Sequence, residues 1–176
     1  MSRTPKDIAE SLFTAFEDSS AEFQHELYQY GGQFGNPPAS KNYVDAALSA
    51  LAAALGPEQK ELLAVAGITP EAGAEEDPQQ CELVVFSEGL LFHTAFSAAG
   101  NTAPAVQVLR RSSITSVTIT SAAPFNLPAK PERLRFTAVY EGGLVLDFPL
   151  KGNRANVTST LADVLTTLRS DLESKP

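Results

Sequence analysis

The 176-residue chain has no tryptophan, one cysteine, one methionine and two histidines. Cys81 has no intramolecular partner, which excludes a disulfide scaffold and any metal motif built on paired cysteines. Positive charge is also scarce, with 13 Lys+Arg against 21 Asp+Glu and a formal net charge of −8. Phosphate backbones are drawn to basic surfaces, so no nucleic acid partner is expected. No apolar run approaches the roughly 20 residues that span a bilayer. Residues 8–16 are interrupted by Glu10 and Ser11, so no signal peptide is read there. The expectation is a soluble, cytoplasmic protein.

The signatures of common enzymes are missing too. The chain has no Gly-x-Ser-x-Gly elbow, no phosphate-binding P-loop and no dinucleotide glycine fingerprint. Glu22 and His25 share a helix face in a single Glu-x-x-His motif, whereas a dimetal carboxylate bundle needs the motif twice. That face, which also carries Glu17 and Glu26, reads as solvated. His93 falls in mid-strand and reads as a partly buried strand histidine rather than a catalytic one. No cofactor and no metal are expected.

What is present is a 43% hydrophobic composition, enough for a packed core, divided into two unlike parts. Residues 1–78 hold four basic residues against thirteen carboxylates, a net −9, and residues 79–176 hold nine against eight, a net +1. The first part reads as helical. Ile8, Leu12, Phe16, Phe23, Leu27 and Tyr30 form one apolar stripe, with Thr4 as N-cap and Pro5 in the first turn. Gly31 and Gly32 end this helix, and the loop of residues 31–40 follows. Its aromatic, Gly- and Pro-rich residues 28–38 are a candidate partner-binding loop, though the favoured reading is that these aromatics anchor the loop on the core. Val44, Leu48, Leu51 and Leu55 define a second helix, and a short third one is expected over residues 57–66. The expected division is a helical segment 1–68, an acidic linker 69–79 and a β-rich domain 80–176.

The β-rich part reads as about six strands and one helix. Residues 81–87 and 90–96 flank the two-residue turn Glu88-Gly89. Strands over 106–110 and 115–120 follow, with an irregularity near Ser112 and Ser113. Pairing Tyr140 with Leu144 sets Ala138 opposite Leu146 and Phe136 opposite Phe148, so one face of the last hairpin is apolar. Thr137 then opposes Asp147 on the solvated face. Val157, Leu161, Val164, Leu165, Leu168 and Leu172 make the stripe of a closing amphipathic helix.

These segments carry a resemblance. The hairpin of residues 83–92, the strand entry Arg111-Ser112-Ser113-Ile114-Thr115-Ser116-Val117-Thr118-Ile119 and the final hairpin with its helix resemble bacterial pleckstrin-homology-like (PH-like) domains. The similarity covers residues of about 80–172. It implies an α+β fold: N-terminal helices, then a bent antiparallel β-barrel closed by the C-terminal amphipathic helix. The family has seven strands where this reading yields six. It also implies binding or scaffolding rather than chemistry. Family members that bind inositide headgroups carry Lys and Arg in the first hairpin loop; here that loop is Glu88-Gly89, so inositide lipid binding is not expected.

Arg110, Arg133, Arg135 and Lys151 form the candidate binding set. Arg133 and Arg135 share a strand face, Lys151 lies opposite Arg133, and of Arg110 and Arg111 only one can join them. These charges are either solvated, salt-bridged to the acidic N-terminal helices, or open to an anionic ligand or acidic peptide. The leading expectation is a non-enzymatic protein-interaction or scaffolding module with a protein partner or self-association. The alternatives are an anion binder on the Arg133/Arg135 face and an enzyme of unrecognised type.

Overall fold

The computed structural model describes residues 3–19, 39–70, 79–97, 104–122, 134–150 and 158–174. The fold is α+β, with three helices and two antiparallel sheets among the described residues. Helix α1 spans Pro5–Ser19 and α2 spans Ala39–Leu55. Seven strands follow: β1 Leu63–Pro70, β2 Gln79–Phe86, β3 Leu90–Ser97, β4 Gln107–Arg110, β5 Ile114–Ser121, β6 Arg135–Tyr140 and β7 Val145–Phe148. Helix α3, Thr158–Glu173, ends the described chain. The first sheet has the order β1-β2-β3-β4 and the second β5-β6-β7. Among the described residues no ladder joins the two sheets, so they form two separate sheets and not one closed barrel.

Side-chain alternation explains how the layers stack. Along β1 and β2, Ala64, Ala66, Cys81, Leu83 and Val85 face one way and pack with Ile8, Leu12 and Phe16 of α1 and Leu48, Leu51 and Leu55 of α2. The alternate residues Val65, Val84 and Phe86 face the other way, into a second core. That core also holds Phe136, Ala138 and Tyr140 of β6, Leu146 and Phe148 of β7, and Leu161, Val164 and Leu168 of α3. Within it the Phe136 and Phe148 rings stack with centroids 5.1 Å apart. The order is therefore helices, first sheet, second sheet, with α3 closing the inter-sheet core. Strands β1 and β2 are thus buried on both faces, whereas β4 at the edge is largely exposed.

Strand β1 corrects the expected third helix over residues 57–66 and moves the start of the β-rich part back to Leu63. Leu63 to Ala66 is a short apolar run without polar alternation, because each of its faces is covered; such a run does not tell helix from strand by period. Strand pairing decides it: Leu63 opposes Phe86 and Pro70 opposes Gln79 in an unbroken antiparallel register. Thr69, Pro70 and Gln79, expected in the linker, thus belong to a β-ladder, and β1 joins the six strands of the β-rich part to make seven among the described residues.

Other expectations match the coordinates. Phe136 opposes Phe148, Ala138 opposes Leu146 and Thr137 opposes Asp147. The Tyr140–Leu144 turn closes through Gly142 and Gly143, both at positive φ (86° and 90°), a conformation that costs glycine little. The irregularity expected near Ser112 is a 3-10 turn over Arg111–Ser113, followed by a bulge between Ile114 and Ser116. No helix among the described residues is long and apolar enough to cross a membrane.

Candidate interaction surface

Helix α1 has two working faces. Ile8, Leu12 and Phe16 recur at i, i+4 and i+8 and are fully buried against the first sheet. The adjacent face carries Lys6, Ala9, Glu10, Phe13, Thr14 and Glu17 and forms one wall of a groove of about 700 Å³. Asp45, Leu48 and Ser49 of α2, at i, i+3 and i+4, form the opposite wall. Ala9 and Phe13 are half-buried and continue the core outward, and Leu48 lies beneath them. Glu10 and Asp45 are exposed and Glu17 is half-buried, so carboxylates border an apolar floor on both walls. Lys6, the one cation lining the groove among the described side chains, lies 3.6 Å from Glu10 one turn away.

The start of α1 is fixed from two sides. Thr4 and Asp7 form a reciprocal cap: the Thr4 N–H donates to Asp7 Oδ2 at 2.8 Å and the Asp7 N–H donates to Thr4 Oγ1 at 3.2 Å. The bonds from the Thr4 backbone and hydroxyl hold the Asp7 carboxyl below its usual range. Arg3 reaches Glu61, just ahead of β1, with Nη1 2.8 Å from Oε2 and Nη2 3.0 Å from Oε1. Ser11 donates to the same carboxylate. Burial acts to raise the Glu61 carboxyl, but the bonds from Arg3 and Ser11 outweigh it and hold it below the ordinary glutamate value. The groove wall is therefore anchored on the sheet scaffold.

The basic set does not assemble among the described residues. Arg110 ends β4 in the first sheet and is exposed. Arg135 begins β6 in the second sheet, paired with Ser121, and is exposed. Arg133 and Lys151 lie outside the described residues, as do Glu22, His25 and the loop of residues 28–38. Arg135 shares the outer face of its strand with Thr137, whereas α1 and α2 cover the far side of the first sheet. Two sheets separate Arg135 from these helices, so α1 and α2 do not neutralise it.

Arg111 has a different role from its neighbour. Its guanidinium pairs with Asp171 of α3 through Nε–Oδ2 at 3.0 Å and Nη2–Oδ1 at 2.7 Å. It also donates to the carbonyl oxygens of Ser87, at 2.6 Å, and Glu88, at 3.3 Å. The side chains of this pair are 11% and 9% exposed, so the charges are largely withdrawn from water. Tyr140 lies in the same region; burial, reinforced by the Asp171 carboxylate and opposed by Arg111, pushes its phenol well above the usual value. The signal for this cluster was present in the sequence. Asp171 continues the Leu161, Val164, Leu168 stripe at the next helical interval, and a carboxylate at an apolar stripe position needs a buried partner.

His93 shares the inward face of β3 with Leu91, and its Nε2 lies 3.0 Å from Glu82 Oε1 on β2. Cys81 is buried among the helix-facing residues of the first sheet. Among the described residues no three His, Cys, Asp or Glu side chains are grouped to hold a metal ion. In comparisons with known proteins, no family matches the chain, and neither does any curated protein or solved structure.

Proposed function

We propose that the chain is a non-enzymatic protein-interaction module, a PH-like seven-strand scaffold that presents the α1/α2 groove to a protein partner. The observation that carries this reading is the groove itself. It combines concave shape, a partly uncovered apolar floor at Ala9 and Phe13, and a polar border, the anatomy of a protein-binding surface. Seven antiparallel strands among the described residues, with β1 added to the six of the resembling segment, and a closing C-terminal helix support the PH-like scaffold, since that is the strand number the family has. Anchoring of α1 through Arg3–Glu61 makes the surface preformed, which lowers the ordering cost of binding.

The test uses a photo-crosslinking residue at position 14, exposed in the groove wall, and at position 120, exposed on β5 as a control. In its own cells the chain is expected to crosslink to another polypeptide from position 14 and not from position 120. Adding Ser49→Trp, a bulky change at an exposed groove position, should abolish that product. A product that stays within the same chain, or one indifferent to Ser49→Trp, overturns the reading.

A further inference from the structure

We infer that the α1/α2 groove docks a basic amphipathic helix of another protein, with its apolar stripe on Ala9 and Phe13 and its cations toward Glu10, Glu17 and Asp45. This rests on the interaction reading above and adds the chemistry of the partner. Three observations select that occupant.

The first is the form of the walls. Both are helices whose backbone groups are bonded internally, so the groove offers no strand edge for β-addition. An inserted partner must therefore be recognised by side chains, and a helix does so with one stripe of residues. The second is length. The α1 wall runs from Lys6 to Glu17, on the order of 16 Å at the rise of an α-helix, and the α2 wall from Asp45 to Ser49 flanks about one turn of it, so a short helix lies along α1. The third is charge. Among the described side chains Glu10, Glu17 and Asp45 face the groove against Lys6, and Lys6 is already beside Glu10.

That charge also ranks the other occupants. Anionic lipid headgroups and nucleic acid phosphates meet the same carboxylates and are repelled. A second copy of this chain brings a net charge of −8 to an acidic surface, so self-association at the groove is disfavoured by electrostatics. Lysine or arginine flanks instead meet complementary charge on both walls, which raises the association rate and fixes the register of the bound helix.

The experiment uses two labelled synthetic peptides of about 14 residues with leucines at helical spacing. One carries lysines on the flanks and its twin carries glutamates at the same positions. Fluorescence anisotropy with the full chain is expected to show binding of the lysine peptide alone, weakened roughly tenfold between about 50 mM and about 300 mM salt. The double variant Glu17→Lys/Asp45→Lys, at side chains that line the groove outside the core, should lower that affinity at least about tenfold with an unchanged circular dichroism spectrum. Equal binding of both peptides, no binding of the lysine peptide, or an affinity indifferent to the double variant each overturns the inference. The crosslink from position 14 separates the two levels. Its persistence in the double variant leaves the docking surface standing and removes the basic helix, whereas its absence from the unaltered chain removes the interaction reading itself.

Discussion

Arg111 and Asp171 meet side by side, two nitrogens on two oxygens, and join the turn between the sheets to the last helix. Arg111 also grips the carbonyls of the β2–β3 turn, so three parts of the chain, its own turn included, converge on one guanidinium. Removing one member of a largely buried pair strands the other charge. Asp171→Asn is expected to cost about 3 kcal/mol in urea unfolding. The double variant Arg111→Met/Asp171→Leu should recover most of that loss. A double variant as unstable as the single one would show that the hydrogen bonds to Ser87 and Glu88, not the ion pair, hold this corner.

Tyr140 is 1% exposed, and its hydroxyl has no hydrogen-bond partner among the described residues. Its burial lifts the phenol's pKa because the ionised form is unfavourable there. Tyr140→Phe keeps the ring and removes the unpaired group. The variant is expected to match the parent or exceed it by up to about 1 kcal/mol. A clear destabilisation in thermal unfolding would count against this account.

Acid should loosen α1 before it loosens the sheets. Glu61 and Asp7 both have folded pKa values below their unfolded ones. Each therefore adds stability that is complete above the unfolded value, about 4, and is lost as pH falls through the lowered one. Amide exchange at Ile8 and Leu12 should accelerate below about pH 4 while β2 stays protected. Glu61→Gln should flatten that acid dependence. Simultaneous loss of α1 and β2 protection, unchanged by the substitution, contradicts the assignment.

Ala64 and Ala66 are small because helices lie on them, with 4% and 0% exposure. Enlarging either forces α1 and α2 away from the first sheet. Ala66→Leu is expected to cost about 1–3 kcal/mol. The same enlargement at Ala95, exposed on β3, should be nearly neutral. Equal effects at the two sites would mean that the helices do not pack against the sheet.

The last hairpin was legible because its two faces differ: Phe136, Ala138 and Tyr140 are apolar, while Arg135 and Thr137 are not, and a one-residue slip would exchange them. Strand β1 was not legible for the opposite reason. Both of its faces are covered, so Leu63 to Ala66 carries no alternation. The groove was hidden at another level. Phe13 lies off the stripe of Ile8, Leu12 and Phe16, and only the approach of α2 places Asp45 and Leu48 across from it. The proposed basic patch shows the limit of register arguments, which relate residues within one sheet but cannot set Arg110 and Arg135 on the same one.

The double-sided burial of β1 and β2 bears on how this protein can be cut. A fragment starting at residue 80 keeps the sequence that looked like a self-standing β domain, but it loses β1 and both helices. Leu83, Val85 and Phe92, buried beneath α1 and α2, would face water together, and the freed edge of β2 would be open to another chain. The boundary that charge and composition draw near residue 79 therefore runs through the β1–β2 ladder and a shared core rather than between two separate ones.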